Sequence, residues 1–419
     1  MPDTKQIEIT ALSHGGDGVG RIEREVCFVP YSAPGDVLSI RTTGKRHGVA
    51  RGEIAEVQRP SEHRREPICS HFTRCGGCDW LHIDYDFQRK WKKRIVSETV
   101  ARIGGIKGVD VDDVREDSQE LRYRNRARFH LGRRSGQVVA GFVAALSHDI
   151  VNIDDCPLLC ESLVDTFRKV KDIAGRFKAP LPREIEITVS PKGEALCWLP
   201  AGRKRDFRHA GFGRRLASEC KEMLVNWAGD KRKRRHFDME CRGYVARVVN
   251  GCFSQASFCH NEILVASVLE SAGELNGARV FEFFCGSGNF SWPLAARGAR
   301  ITGVDFDKQA IAAARRTPAP PGSQLPKFLS SRLDAQCTFN MTEKTADLVL
   351  LDPPRKGAKE LMPDLTSDLC DRILYVSCDP GTLARDLGTL AKAGRHVSRI
   401  QLVDMSPNTC HIETVSLIE

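Results

Sequence analysis

The residues best suited to chemistry lie in the last third of the chain, in Arg372–Asp386, RILYVSCDPGTLARD. Ile373–Val376 reads as a buried strand that breaks at Ser377-Cys378-Asp379-Pro380-Gly381, with a helix from about Thr382. A cysteine at the carboxyl end of a central strand stands where open α/β sheets place their chemistry. Asp379 or Thr382 can cap the next helix, whose positive end would favour a Cys378 thiolate. That chemistry is nucleophilic addition.

Three further strand ends point to the same edge. Val280–Phe284 runs into Cys285-Gly286-Ser287-Gly288-Asn289-Phe290, a corner whose glycines let backbone approach a ligand. The corner has G-x-G and no third glycine, which argues against a dinucleotide. Asp305 ends the strand Arg300–Val304, where a carboxylate can hold a ribose diol, and Leu348–Leu351 runs into Asp352-Pro353-Pro354-Arg355-Lys356-Gly357. Glu413, in the terminal LVDMSPNTCHIE, reaches this edge if that segment forms a last strand pair; otherwise it is a surface glutamate.

A second constellation is Cys69-x5-Cys75-Gly76-Gly77-Cys78, with Cys156-Pro157 about eighty residues on. Three cysteines in a turn-rich stretch plus one remote one can surround a single metal centre, and soft thiolates suit either a [4Fe–4S] cluster or structural zinc. Only one pair has zinc-knuckle spacing, which favours the iron–sulfur cluster. Cys160 competes with Cys156 for the fourth place.

The elements that must position these groups fall into three parts. At residues 5–57, the short runs Gln6–Leu12, Val26–Pro30, Val37–Thr42 and Glu53–Val57 lie between glycine-rich turns and a basic loop, Lys45-Arg46-His47, and predict a small closed OB-type barrel. SHGGDGVGR and VPYSAPGDVLSI resemble the TRAM domain of RNA-modifying enzymes. Residues 86–104 place Phe87, Trp91, Ile95, Val100 and Ile103 on one helical face. In LRYRNRARFHL, Arg122, Arg124, Arg126 and Arg128 alternate as a strand would present them, on one face ready for RNA phosphates or bases. Basic patches follow at Arg203–Arg208 and Lys231–Arg235. The expected domains are 1–62, the barrel; 63–250, a mixed α+β iron–sulfur and RNA-binding part; and 251–419, a Rossmann-like α/β domain. An apolar content of 41% supports real cores, the net charge of +9 leans towards a polyanion, and sixteen scattered cysteines form no disulfide framework. Without a signal-like start or a membrane-length apolar run, a cytoplasmic protein, expected as a monomer, is the reading.

FFCGSGNF, LLDPPRKG, LYVSCDPGTLARD and CHIE, with Gln255 in FSQASFCHN and the cysteine spacing, resemble the RNA (uracil-5-)-methyltransferases of the RumA/TrmA type along almost the whole chain. The combination of barrel and cluster is most similar to the iron–sulfur members that modify large-subunit ribosomal RNA, notably at uridine 1939. The resemblance implies a class I methyltransferase domain, Cys378 as covalent nucleophile and Glu413 as the base. It also implies S-adenosylmethionine held by Gln255, Phe284, Gly286, Gly288, Asn289, Asp305 and Asp352. Asp379 stands where the family often has Asn, an extra carboxylate expected to raise the Cys378 pKa; Ser406 and Asn408 replace the usual aromatic and Gln, and Asp305 the frequent Glu, so the base pocket is expected to differ in detail. An amino-group methyltransferase would carry an aromatic residue where Arg355 stands. A non-catalytic RNA binder would lack Cys378 or Glu413. An iron–sulfur oxidoreductase would need a second cofactor motif.

Overall fold

The computed structural model describes residues 4–46, 48–115, 118–145, 147–201, 208–241, 243–333, 346–366 and 370–419. Position 47 of the basic loop and positions 203–207 of the first basic patch lie outside the described residues.

Strands β1 (Thr4–Leu12), β2 (Gly18–Ile22), β3 (Glu25–Val29), β4 (Val37–Arg46) and β5 (Val49–Arg59) close into a barrel in the order β1-β2-β3-β5-β4. Alternating inward residues, among them Ile7, Ile9, Val29, Leu38 and Ile40, fill it. The sequence reading misses β2, because its glycines look like turn residues. Gly20 is in fact a packing glycine, since a Cβ there would lie 2.3 Å from the Glu8 carbonyl. Lys45 and Arg46 belong to the end of β4 rather than to a loop.

Helix α1 (Tyr85–Thr99) is capped by Asp84, whose side chain accepts from Phe87 N. It runs on into a π-helical turn, Val100–Gly104, closed by Gly105 at φ 69°. The wider turn rotates Ile103 off the apolar face expected for it, leaving it 49% exposed.

A six-stranded sheet follows: β6 (Arg126–Arg134), β7 (Gln137–Val143), β8 (Ile150–Asn152), β9 (Glu184–Val189), β10 (Ala195–Leu199) and β11 (Met223–Trp227), ordered β11-β10-β9-β6-β7-β8. Helices α2 (Glu161–Arg176) and α3 (Arg208–Glu219) pack into its core, and a separate hairpin, β12 (His236–Cys241) with β13 (Tyr244–Val249), comes next.

After helix α4 (Phe258–Ala272) come β14 (Arg279–Phe283), α5 (Ser291–Ala296), β15 (Arg300–Asp305), α6 (Lys308–Ala314), β16 (Lys327–Ser330), β17 (Ala346–Leu351), α7 (Met362–Leu365), β18 (Cys370–Ser377), α8 (Pro380–Lys392), β19 (Val397–Val403) and β20 (Glu413–Ile418). Their sheet runs β16-β15-β14-β17-β18-β20-β19, with β20 antiparallel between its neighbours. Strands β14, β17 and β18 are apolar on both faces (Val280, Leu348, Val349, Leu350, Ile373 and Leu374 are all buried), as a sheet covered on both sides requires. The order reverses at β14, so ligands are expected above β14 and β17. Among the described residues no helix is long and apolar enough to cross a membrane.

Candidate active site

Each predicted strand end lands on the carboxyl edge of this sheet. β18 pairs with β20 through Ser377↔Thr414, so Cys378 and Glu413 follow as neighbours across the strands. β20 thus makes the strand pair on which the placement of Glu413 depended.

Cys378 is held by the turn into α8. The Asp379 N–H reaches the Ser377 hydroxyl at 3.2 Å, and Asp379 Oδ1 caps the helix by accepting from Thr382 N at 2.8 Å. The capped end is outweighed by its surroundings. Burial first, then the carboxylates of Glu413, Asp352 and Asp379, push the Cys378 thiol up to about 12, and Arg355 opposes them. Burial and Asp352 likewise push the Glu413 carboxyl well above the usual range, again against Arg355. Asp352 is pushed up to about 7 by burial and by Asp305. Three acids and one guanidinium therefore share a partly dry site, the arrangement in which protonation states are tuned for catalysis.

Beside it lies a cleft lined by Gln255, Phe284, Gly286, Gly288, Asn289 and Asp352. The corner is sharp: Phe284 sits at φ 64°, Gly286 at 55° and Gly288 at 91°. Asp305 does not line the cleft. Its Oδ2 accepts from Gly286 N at 2.9 Å and its Oδ1 from Asp307 N at 2.8 Å, which ties the corner to the end of β15. Asn289 exchanges two side-chain hydrogen bonds, 2.9 and 3.0 Å, with Asn261 of α4. Asn261 escaped the sequence reading, since nothing local marks it. Phe253 also escaped it; this residue is 72% exposed, lines the cleft, and has the Arg126 guanidinium 5.8 Å over its ring.

The arginines are a correction. β6 starts at Arg126, so Arg122 and Arg124 precede the strand and no single-faced row exists. Arg122, at φ 55°, grips Asp155 with two bonds of 2.7 and 2.9 Å and donates to the Cys156 carbonyl. Arg126 pairs with Glu186 at 2.7 Å and donates to the Ser254 carbonyl at 2.7 Å, positioning the Gln255 loop. Arg128 is the most open, near Glu184 and Glu186. Arg124 lines the cavity of the cysteines.

That cavity gathers Cys69, Cys75, Cys78 and Cys156, with Phe72, Phe142 and Pro157 around them. Cys160 does not line it; its sulfur lies by the Asn125 amide and the Ser162 hydroxyl, each at 3.5 Å. Gly76 packs under the β7–β8 turn, where a Cβ would meet Ala145 Cα at 3.3 Å, and donates to the Val143 carbonyl. Backbone N–H groups of Gly77, Leu158 and Leu159 point at the sulfurs of Cys75 and Cys156. Among the described residues no group of three or more His, Cys, Asp or Glu is arranged as a metal-ion site; the four thiols share a cavity without closing on one point.

The segment between β19 and β20 carries Glu413, and buried polar groups tie it down. Lys92 of α1 forms a fully buried ion pair with Asp404 at 2.7 Å. Tyr123 OH donates to the Pro407 carbonyl at 3.0 Å. Asn408, buried and at φ 66°, donates its N–H to Gln88 and its side-chain amide to the Glu120 carbonyl, accepts from Gln88 and Arg65, and takes Trp80 N on its carbonyl. This residue, where the family's usual Gln is missing, faces α1. Asn408→Ala is expected to lower unfolding stability by about 3 kcal/mol, read as a lower urea midpoint, because partners stay buried and Ala resists positive φ.

A class I methyltransferase sheet, a closed barrel and a cysteine–carboxylate pair at the sheet's carboxyl edge together define an RNA-modifying methyltransferase. The tRNA (uracil-5-)-methyltransferase family model matches residues 223–319 and 331–419, and the TRAM domain model matches 3–55. The chain belongs to the RNA (uracil-C5-)-methyltransferase family. A Thermosynechococcus vestitus protein, named as an uncharacterized RNA methyltransferase, is 30% identical over 99% of this chain and 98% of its own length. A 23S rRNA (uracil(1939)-C(5))-methyltransferase of Shewanella sediminis is 29% identical over 99% of this chain and 95% of its own. A crystal structure of Pyrococcus abyssi tRNA (uracil-54, C5)-methyltransferase with S-adenosyl-L-homocysteine superposes with a TM-score of 0.69, at 22% identity and 99% coverage of both chains.

Proposed function

We propose that this enzyme methylates carbon 5 of a uridine in large-subunit ribosomal RNA, with S-adenosylmethionine as donor and a covalent Cys378 adduct. The observation that carries the reading is the pairing of Cys378 with Glu413 across β18 and β20, beside the glycine-cornered cleft. Carbon 5 of uracil is a poor nucleophile. Cys378 gives its thiol proton to a neighbouring carboxylate and adds to carbon 6 as the thiolate, which makes an enolate whose carbon 5 takes the methyl group. Bound S-adenosylmethionine supplies that methyl as an electrophile. Glu413 then removes the carbon 5 proton, carbon 5 and carbon 6 regain their double bond, and Cys378 leaves with its electron pair. A carboxylate whose proton affinity is raised by burial is a stronger base for that step. Gln255, Phe284, Gly286, Gly288, Asn289 and Asp352 hold the donor, Asp305 braces the corner, and Phe253 offers its exposed ring to an unpaired base. The 29% identity to the Shewanella enzyme, against 22% to the Pyrococcus transfer-RNA enzyme at similar coverage, favours 23S rRNA and uridine 1939 as the target. Incubation with unmodified 23S rRNA and labelled donor, followed by digestion and mass mapping, should place 5-methyluridine at that position; methylation of transfer RNA alone would redirect the substrate.

Donor binding is expected to depend on Asp352. With its free value near 7 and the carboxylate as the binding form, binding below pH 7 must first remove a proton. Affinity should therefore weaken about tenfold per pH unit as pH falls below 7 and level off above it. A calorimetric Kd that stays flat from pH 5.5 to 8 would count against Asp352 as a donor ligand.

The thiol cavity suits a [4Fe–4S] cluster. A cluster spaces its four thiolates more widely than one ion does, and backbone N–H groups directed at cysteine sulfur are the surroundings such a centre uses. Cys69, Cys75, Cys78 and Cys156 would hold it, pinning the 69–78 segment to the Cys156 turn. Trp80, just beyond, then presents its N–H groups to Gly16 and Asn408. Anaerobically purified protein should contain about four irons per chain, and Cys156→Ser should lose them with their visible absorbance. One zinc per chain would overturn the assignment.

A further inference from the structure

We propose that His14, on the β1–β2 loop of the barrel, is a positioning residue for the nucleophile: it holds Asp379 and, through it, the turn that carries Cys378. This rests on the reading of Cys378 as nucleophile. His14 Nε2 lies 3.2 Å from Asp379 Oδ2, while Oδ1 of the same carboxylate caps α8 through Thr382 N at 2.8 Å. Both oxygens are engaged, one by the barrel and one by the helix that follows the nucleophile. His14 is thus a residue from the far end of the chain built into the catalytic turn.

The loop that delivers it is locked. Ser13 N donates to the Asp17 carbonyl at 2.8 Å and Gly16 N to the Ser13 carbonyl at 3.0 Å, closing the turn. The Gly16 carbonyl accepts from Trp80 Nε1 at 2.9 Å. Gly16 stands at φ 92°, and a Cβ there would meet Asp79 at 3.0 Å and Cys410 at 3.2 Å, so only glycine lets the loop wedge between the cysteine segment and the segment that carries Glu413.

An electrostatic consequence follows. The charged groups facing Cys378 are Glu413, Asp352 and Asp379, which oppose its thiolate, and Arg355, which favours it. Asp379 is the neighbour in sequence, and its carboxyl is held well below the usual range, chiefly by the bond to His14. An imidazole N–H donated to that carboxylate draws its charge away from Cys378. Removing His14 leaves the charge less compensated, so the thiolate fraction falls; removing the charge by Asp379→Asn raises it.

The test follows the alkylation rate of Cys378 by iodoacetamide from pH 7 to 9.5 in the full chain, quantified on the peptide that spans it. His14→Ala should slow alkylation about tenfold across that range. Asp379→Asn should speed it, and His14→Ala added to Asp379→Asn should change it by less than about twofold, because no carboxylate remains to compensate. Wild-type alkylation in His14→Ala, or an equal slowing in both backgrounds, would overturn the proposal. Alkylation needs no RNA, so failure of the wild type to trap 5-fluorouridine RNA would strike the nucleophile reading instead.

Discussion

Cys378→Ala is expected to abolish methyl transfer, lowering turnover by about four orders of magnitude or more, since a lost covalent nucleophile removes the whole low-barrier route. The donor should still bind within about twofold of wild type, because the donor cleft is lined by other residues. Rapid-quench transfer of labelled methyl to RNA, with calorimetry for the donor, separates the two quantities. A variant that retains even a hundredth of the wild-type rate would mean direct attack by carbon 5.

Glu413→Gln fails differently. Its carboxylate raises the Cys378 thiol, so its removal does not hinder addition to carbon 6, and methyl transfer should proceed once. Proton removal then has no base, and turnover should fall by about 10²- to 10⁴-fold. A methylated protein–RNA adduct on ordinary uridine should accumulate, visible as a denaturation-resistant band. Release of 5-methyluridine at the wild-type rate would give the base's role to another group. Asp352 is the alternative, its carboxyl being pushed up to about 7 by burial in the same site.

The strand ends bearing Gly286, Asp305, Asp352 and Cys378 could be read from sequence because each closes an apolar run with glycine, proline or aspartate, a local pattern. The barrel was readable apart from β2, whose glycines are there for close packing and mimic a turn. Long-range polar contacts were hidden. Asn261 with Asn289, Lys92 with Asp404, Asn408 with Gln88, and His14 with Asp379 join residues 28 to 365 positions apart, and no periodicity records such a pairing. The arginines misled for a related reason. Alternation predicts neither that the strand begins only at Arg126 nor that Asp155, Glu186 and Ser254 take up the guanidinium groups. Cys378 shows the limit for electrostatics: the helix cap and the adjacent Asp379 carboxylate were foreseeable, whereas how closely Glu413 and Asp352 crowd the thiol emerges only from the fold.

These hidden contacts share a purpose. α1, through Gln88 and Lys92, holds the segment that carries Glu413, while its π-helical turn crosses α8 so closely that a Cβ on Gly104 would lie 2.8 Å from the Ala384 carbonyl and one on Gly388 2.7 Å from the Gly104 carbonyl. Cys378 and Glu413 thus stand side by side at the ends of one strand pair, the segments that carry them braced by the same helix.

The measurement that decides the mechanism uses the purified enzyme, S-adenosylmethionine and a large-subunit RNA fragment in which uridine is replaced by 5-fluorouridine. Fluorine occupies the position of the proton that Glu413 must remove, so methyl transfer should leave protein and RNA joined through Cys378. The account predicts a stable methylated adduct that is absent in Cys378→Ala and maps to one uridine. Methyl transfer to such RNA with no covalent complex would contradict it.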